Sequence, residues 1–484
     1  MRFSIVTAAI ALMLGIPSFA DEPKPIELSI QARAIEVPVL KYRLLPPEAE
    51  TKPGNASPIL LRLPWEQTPW MTQFFPTLHE WESRPLNDPT WATSDGILPE
   101  RFYNEMKRAA FRREASWEYP IGETPAPYLI LLPDVQGLRG FLGNGLSARI
   151  RYHLSRGELD KAREGIMVGL ANSRHLAQTS FYINQIVALS IHRKMLDRVD
   201  ELISQPKSPN LYWALSTLPG SLVEMDRAAS FEGDTFALTF PAVNDLDRPR
   251  NAKEWNKMAR QLVEYLEQVG EIPQREKIHG DGSVVDQLLQ RLIPAEKNHL
   301  EKLITQARAD LPQMLGMTPA KVAAMPDDEV GVRWYAHLRV ANDQRTAAVL
   351  ALSPREAWPE LRKLHAENKL KKEKTGTKGW AFLNPTSIYV SVWSLNRKIQ
   401  ALRIIEAVRH HLATHDGKFP ESLDDIKDVS IPLDPLTNQP FDWKVNGDAA
   451  TLKSPPLPED LVAPGSAEAA SSTLEYRLRV NLKL

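Results

Sequence analysis

Apolar residues recur at helical spacing through most of the chain beyond residue 145. The series Ile191, Met195 and Val199 places apolar side chains on one face of a helix. Comparable patterns, separated by short connections rich in proline and glycine, predict helices over 146–156, 160–176, 179–203, 211–228, 284–308, 318–324, 329–350 and 355–370. We therefore expect a mainly α protein, built as an antiparallel helical array.

The two ends of the chain carry the alternating pattern of half-buried strands. Ile26, Leu28 and Ile30 alternate with polar residues, and residues 473–484 alternate in the same way. We expect these two strands to pair, so that a small β element joins the termini and the fold is α+β overall. The pattern also predicts a short strand over 40–45, a polar loop over 46–58 and a helix over 100–115.

Residues 1–20 have the layout of a cleavable secretory signal. Arg2 precedes an apolar run from Ile5 to Ile16, and Ser18 and Ala20 provide the small residues that signal peptidase requires before Asp21. The run is too short to cross a bilayer, and no later segment is long and apolar enough. We expect a periplasmic or secreted protein without an integral membrane segment once the signal is removed.

Residues 21–125 form an extended, tryptophan-rich region. Its tryptophans include candidates for a carbohydrate-binding cleft, namely Trp65, Trp70, Trp81 and Trp91. The alternative is that these side chains fill the core, because each buries a large apolar area. The sequence favours the second interpretation and keeps the four as candidate binding residues.

The turn at Gly157 resembles the tight turn of a tetratricopeptide repeat. Gly157 is followed by Glu158 and Leu159, and Ala162, Ile166 and Gly169 stand at the small, bulky and small positions of that motif. In that family the small residues let two helices approach closely. The resemblance covers about one repeat and implies an α-solenoid, a helical array like that of tetratricopeptide proteins, for residues 126–384.

Residues 385–454 resemble the soluble half of a type II secretion pseudopilin. A long helix predicted from Pro385 leads to the segment Gly417-Lys418-Phe419-Pro420, then to an Asp434-Pro435 loop ending at Pro440-Phe441, and finally to a hairpin around Asn446-Gly447. A pseudopilin begins with its long apolar helix at the N-terminus, whereas the corresponding segment here lies at the C-terminal end of the chain. The resemblance implies a pilin-like helix-plus-hairpin unit, reused as a packing element.

The whole layout resembles an uncharacterised family of exported proteins from planctomycete-type bacteria. The residues that carry this resemblance are 40–46, 53–56 and 209–215, together with the helical middle and the pilin-like end. It implies a shared architecture and no activity. We divide the chain into six parts: a signal peptide (1–20), the tryptophan-rich region (21–125), the helical array (126–384), the pilin-like unit (385–454), a linker (455–472) and a C-terminal strand (473–484).

The chemistry that the sequence offers is sparse. The chain has no cysteine, which excludes thiol nucleophiles and cysteine-bound metals, and no standard catalytic or nucleotide-binding motif. His411 and His415 stand one helical turn apart and are weak candidates for a metal site, although they also suit the C-terminal end of a helix. We therefore assign no metal, cofactor or catalytic residue.

Charge argues against a nucleic-acid partner. The net charge is -1, near neutrality, whereas polyanion binding usually requires a basic face. The first expectation is an exported, non-enzymatic helical-repeat protein that offers a binding or scaffold surface to an unknown protein partner in the cell envelope. One alternative is a hydrolase of envelope polymers with an unrecognised site. Another is an accessory component of a type II secretion or pilus-like machine.

Overall fold

The structure is a computed structural model that describes residues 24–66, 77–93, 97–119, 134–268, 297–375, 385–460, 462 and 472–481. The predicted signal peptide, most of the predicted linker and the last three residues lie outside the described residues. The described part of the chain is mainly helical, with a small mixed sheet. The mainly α, α+β class that the sequence predicts is confirmed at this level.

The described residues form helices from Ser57 to Thr414. Among the helices that the structure describes, no helix has both the length and the apolar character that are needed to cross a bilayer. In chain order they are α1 (Ser57–Glu66), α2 (Leu78–Ser83), α3 (Glu100–Ala110), α4 (Leu146–Ser155), α5 (Leu159–Ala177), α6 (Tyr182–Ile203), α7 (Tyr212–Ser216), α8 (Met225–Thr239), α9 (Ala252–Gln268), α10 (Lys297–Leu315), α11 (Pro319–Ala323), α12 (Asp327–Leu350), α13 (Pro354–Thr375) and α14 (Pro385–Thr414). A π-helical stretch, Arg139–Gly145, leads into α4.

The main sheet joins the two ends of the chain, as the alternating patterns predict. Its order is β1 (Ile26–Ile30), β6 (Glu475–Val480), β5 (Ala449–Lys453) and β4 (Asp442–Asn446). The C-terminal strand β6 pairs parallel with β1 and antiparallel with β5, so it is an inner strand. Tyr476 and Leu478 are fully buried on one face of β6, while Arg477 and Arg479 point to solvent. The predicted pairing of the termini and the predicted hairpin at Asn446-Gly447 are both confirmed.

Two predictions for the N-terminal region are wrong, the strand over 40–45 and the continuous loop over 46–58, and the helix predicted over 100–115 is confirmed only over Glu100–Ala110. Residues 40–45 form turns and bends rather than a strand, beginning where the Lys41 amide donates to the carbonyl of Pro38 at 2.8 Å. The predicted helix over 100–115 ends at Ala110, and Arg112–Glu114 forms β3. This strand pairs parallel with β2, Lys52–Asn55, inside the segment predicted as a loop. Neither strand shows an alternating pattern, since β2 reads Lys-Pro-Gly-Asn.

The largest hydrophobic core brings together the N-terminal and C-terminal parts of the described chain. It combines β1, helices α1 to α7, α14 and the sheet strands β5 and β6. Smaller clusters lie around α12, where α8 and α9 pack on one part of it and α10 and α11 on another. The predicted helical-array region and the predicted pilin-like unit therefore share one core through α14.

Helix α14 carries a buried arginine that ties three distant segments together. The guanidinium of Arg397 donates to both carboxylate oxygens of Asp434, at 2.7 and 2.8 Å, and to the carbonyl of Ser472 at 2.8 Å. The two side chains are 1% and 0% exposed. A guanidinium out of water is tolerated only when its N–H groups find partners. The loop at Asp434 and the segment entering β6 are thereby fixed to α14.

Two further charged groups on α14 act in the same way. The Lys398 ammonium lies 2.5 Å from Asp197 and 2.6 Å from Asp200 on α6, and the hydroxyl of Tyr476 in β6 donates to Asp200 at 2.9 Å. Burial alone would lower the pKa of Lys398, but the two nearby carboxylates have the larger combined effect, so the pKa of Lys398 is raised. About three turns further along α14, Arg409 pairs with Glu406 and donates to the carbonyls of Gln31, Ser208 and Pro209. Helix α14 is therefore held by the N-terminal segment, α6 and β6 together.

Replacing Arg397 should destabilise the fold far more than replacing an exposed arginine in a similar pair. We expect Arg397→Met to lower the free energy of unfolding by about 3–5 kcal/mol, because it leaves Asp434 charged and buried. Arg362→Met is the matched control, since the Arg362 and Asp460 side chains are 46% and 55% exposed, and it should cost less than about 1 kcal/mol. Urea denaturation of both variants measures the difference. Equal losses would show that the buried pair does not hold the fold as described.

Candidate functional site

A polar cleft opens where the start of α3 faces the hairpin formed by α4 and α5. Its volume is about 680 Å³, within the ~300–1,000 Å³ that small-molecule sites usually have. Ile97 and Leu98, which precede α3, are both buried and supply apolar surface. The remaining lining is polar or aromatic apart from Pro99, and consists of Glu100, Tyr103, Asn104, Lys107, Arg149, Tyr152, His153, Arg156, Glu158, Lys161 and Glu164.

The turn between α4 and α5 builds one wall of the cleft. Gly157 has a φ of +70°, the left-handed conformation that glycine adopts without strain. Its amide donates to the carbonyl of Leu154, and the amide of Glu158 donates to the carbonyl of His153. These two bonds are those of a Schellman motif, in which the residues at the positions of His153 and Glu158 usually make an apolar contact. Here the contact is polar, because His153 Nδ1 lies 2.7 Å from Glu158 Oε2.

The His153–Glu158 pair leaves one ring nitrogen without a partner. The His153 side chain is 7% exposed, and its Nε2 is buried with no hydrogen-bond partner among the described residues. Burial lowers the pKa of His153 despite the opposing effect of Glu158, and the hydrogen bond from His153 lowers the pKa of Glu158. A neutral imidazole beside a carboxylate carries its proton on the nitrogen facing that carboxylate. Nε2 therefore presents a lone pair.

Charges of both signs line the rest of the cleft, and they are paired with one another. Arg149 on α4 bridges to Glu100 on α3 at 2.6 Å and lies over the ring of Tyr103, 4.3 Å from its centroid. Lys107 on α3 pairs with Glu164 on α5. These two pairs join the three helices across the cleft.

Glu158 connects the cationic groups at the turn. Lys161 lies 3.3 Å from its carboxylate and Arg156 lies 3.9 Å from it. The Arg156 guanidinium is also 5.3 Å from the centroid of the Tyr152 ring. The lining thus holds four lysine and arginine side chains against three carboxylates, which leaves a charge of about +1.

Trp81 and Trp91, the two candidate tryptophans whose side chains the structure describes, do not line this cleft. Trp81 and Trp91 pack on each other with ring centroids 5.3 Å apart, and Trp91 is 2% exposed with its indole N–H bound to the carbonyl of Pro85. Arg84 covers the ring of Trp81 at 4.0 Å. The side chain of Trp65 and the whole of Trp70 lie outside the described residues. Trp81 and Trp91 thus take part in packing around α2.

The candidate metal ligands His411 and His415 stack on each other. Their ring centroids are 3.8 Å apart with planes 7° from parallel, and His415 Nδ1 lies 3.1 Å from the carbonyl of His411. Stacked rings direct their nitrogen lone pairs side by side rather than toward a common point. Within the described residues, no group of three or more histidine, aspartate or glutamate side chains is placed to hold a metal ion.

The residues of the cleft are not among the site residues that the sequence suggests. Most of them come together only in the fold, as with Arg149 and Glu100, which are 49 positions apart. One local signal was present. The segment His153-Leu154-Ser155-Arg156-Gly157-Glu158 has glycine at the left-handed position of a helix end, with an ionisable pair where that motif usually has apolar residues.

Comparisons with known protein families, with curated proteins and with solved structures found no match to this chain. The geometry of the cleft is thus the main guide to function. It offers a set of paired donors and acceptors and two tyrosine side chains.

The protonation of His153 can be measured directly. We expect ¹⁵N spectra of histidine-labelled protein to show the proton on Nδ1 and a pKa below that of an exposed imidazole. Glu158→Gln should lower the pKa of His153 further, because it removes the charge that favours the imidazolium. The resonances of His410, which lies 3.4 Å from Asp428 elsewhere in the fold, should not move. A higher pKa for His153 in the variant would contradict the proposed pairing.

Proposed function

We propose that this chain is an exported, non-enzymatic binding protein of the cell envelope, periplasmic or secreted, and that the cleft is its binding site. The observation that carries the proposal is that ion pairs already bridge the walls of the cleft and position its side chains. Arg149–Glu100 and Lys107–Glu164 connect α3 to α4 and to α5. A site whose side chains are already positioned loses less conformational entropy when it binds.

The rigid base of the cleft supports the same proposal. On α4, Arg151 is 5% exposed, pairs with Glu201 of α6 at 2.9 Å and donates to the carbonyl of Trp81 at 2.7 Å. Its neighbours Tyr152 and His153 line the cleft. The helix that presents the cleft residues is therefore anchored on its opposite side, in the core.

We propose further that α4, α5 and α6 form a tetratricopeptide-like unit. The close approach of these helices supports it, because a Cβ at Gly165 would lie 2.7 Å from Cγ1 of Ile150, and one at Gly169 would overlap Met195. Ala162 is fully buried at the position where that motif requires a small residue. The proposed α-solenoid would continue through the helices that follow.

The resemblance of residues 385–454 to a pseudopilin remains a proposal about architecture. Three features support it: α14 ends at Thr414 before the left-handed Asp416 and Gly417, Phe419 packs edge-on against Trp443, and the Trp443 indole N–H donates to the carbonyl of Pro420 at 2.9 Å. A role as an accessory of a secretion or pilus-like machine follows only if this unit binds such components. Co-fractionation with them would test that role.

A hydrolase of envelope polymers is the second candidate function. The observation that favours it is the His153–Glu158 pair, since a carboxylate that orients a neutral imidazole is the usual arrangement of a general base. Because Nε2 is buried in this structure, a substrate would first have to displace the side chains that cover it. Incubation of the protein with purified envelope polymers, compared with His153→Phe, tests this function. Turnover that the variant loses would favour the hydrolase, and no turnover by either protein would remove it.

Blocking the cleft should abolish binding without disturbing the fold. Asn104 is an exposed lining residue on α3, so Asn104→Trp adds bulk at the opening and removes no packed group. We expect immobilised protein to capture a component of solubilised envelope, and Asn104→Trp to reduce that capture at least tenfold. Arg108→Trp is the control, because Arg108 is exposed on the same helix but does not line the cleft.

Quantitative mass spectrometry of the captured material, with melting temperatures of both variants, measures the outcome. Capture that is lost in Asn104→Trp and kept in Arg108→Trp supports the proposal. Equal capture by both variants, or no capture by the unmodified protein, would refute binding at the cleft.

A further inference from the structure

We propose that the loop formed by residues 32–41 binds the surface of a bilayer that contains anionic phospholipids, and that its apolar tip, residues 37–39, enters the headgroup region. This inference goes beyond the proposed function, because no residue of the loop lines the cleft. Three properties of the loop support it: the pattern of exposed side chains, the ordered base and the positive charge beside the apolar tip.

The exposure pattern of the loop is the reverse of that of an ordinary surface segment. From residue 32 to residue 40 every exposed side chain is apolar, whereas the two charged side chains, Arg33 and Glu36, are half-buried. Val37 is 88% exposed and Val39 is 48% exposed. Single apolar side chains on a surface are normal, but a contiguous group of them with a polar rim is typical of an interaction site. The exposed apolar residues are Ala32, Ala34, Val37, Pro38 and Val39.

Glu36 holds the base of the loop in one conformation. Its carboxylate accepts hydrogen bonds from Arg33 at 2.5 Å, from Lys41 at 2.7 Å and from Tyr42 at 3.1 Å. These bonds, that of Lys41 foremost, lower the pKa of Glu36 to about 2, so the carboxylate stays charged. The Lys41 amide also donates to the carbonyl of Pro38 at 2.8 Å, which closes the turn. The apolar tip is therefore already ordered, and binding costs it little conformational entropy.

The two sides of the loop are tied to different helices. On one side the amide of Ile35 donates to Nδ1 of His410, on α14, at 3.2 Å. On the other side Arg163 of α5 donates to the carbonyl of Arg43 at 3.1 Å. The apolar tip thus projects from two fixed points, and its exposure belongs to the ordered structure.

The small size of the apolar tip favours a bilayer over a protein partner. The five exposed apolar side chains are alanine, valine and proline, and together they offer far less than the ~800 Å² per partner that a standard protein interface buries. A bilayer surface is fluid, so it accepts a small apolar projection without a complementary pocket. Reversible binding to it needs only a modest apolar contribution combined with electrostatic attraction.

The charge beside the apolar tip is complementary to anionic headgroups. Residues 31–43 contain Arg33, Lys41 and Arg43 against Glu36, so their charge is three minus one, or +2. The side chains of Arg33 and Lys41 are 38% and 50% exposed, and each carries more N–H groups than the bond to Glu36 uses. These donors can reach lipid phosphates while the apolar tip lies in the headgroup region. Basic side chains close to an anionic surface strengthen such binding.

The test uses the chain from residue 21 onward and vesicles of phosphatidylcholine, either pure or with one-third phosphatidylglycerol, at ~0.1 M salt. We expect sedimentation to show about tenfold stronger partition into the vesicles that contain phosphatidylglycerol. Val37→Asp should weaken that partition about tenfold, because it removes apolar surface and adds a negative charge. Leu238→Asp is the matched control, since Leu238 on α8 is 54% exposed and the change in charge is the same. It should alter the partition less than twofold.

A fluorescent label gives a second measurement that does not depend on the loss of binding. The chain has no cysteine, so Val37→Cys and Leu238→Cys each provide a single thiol for an environment-sensitive fluorophore. We expect the emission of the label at residue 37 to rise and to shift to shorter wavelength when vesicles with phosphatidylglycerol are added. The emission of the label at residue 238 should not change.

A response of the label at residue 37 alone, with weaker partition of Val37→Asp, supports the inference. It is overturned if neither kind of vesicle binds, if Val37→Asp weakens partition no more than Leu238→Asp does, or if both labels respond equally. Capture of an envelope protein that depends on Val37, without vesicle binding, would also overturn it, because the occupant would then be a protein. Asn104→Trp should leave vesicle partition unchanged, so failure of this inference and failure of binding at the cleft can be told apart.

Discussion

The buried charges of α14 are the constraint on which the rest of the structure depends. Arg397, Lys398 and Arg409 reach partners in the Asp434 loop, in α6 and in the segment that follows β1. Apolar packing alone would tolerate small shifts between these parts, because it has no preferred direction. A buried guanidinium does not tolerate such shifts, since any displacement leaves a polar group unpaired. The fold is therefore fixed where its distant segments meet.

That constraint reaches the cleft through the helices in between. Helix α6 is held by α14 through Asp197 and Asp200, and it holds α4 through Glu201 and Arg151. Helix α5 packs between α4 and α6, where Gly165 and Gly169 allow close contact. The cleft side chains thus project from helices whose other faces are fixed in the core. Such an arrangement suits a site that recognises shape and hydrogen-bonding groups.

Much of the fold is predictable from the sequence, and the cleft is not. Periodicity predicts most helices and the pairing of β1 with β6, because both depend on which face is apolar. The β2–β3 pairing is missed, since Lys52–Asn55 has no apolar face to signal it. Arg149 and Glu100 look like ordinary surface charges until the fold places them together. The His153–Glu158 contact is the exception, because a local helix ending creates it.

The position of β6 determines when the molecule can be completed. This inner strand lies between β1 and β5, and the contact of Glu27 with Arg477 spans 450 residues. A ribosome delivers β1 long before β6, so β1 has no neighbour in its sheet until β6 has been made. A partly made chain accordingly lacks its final closure.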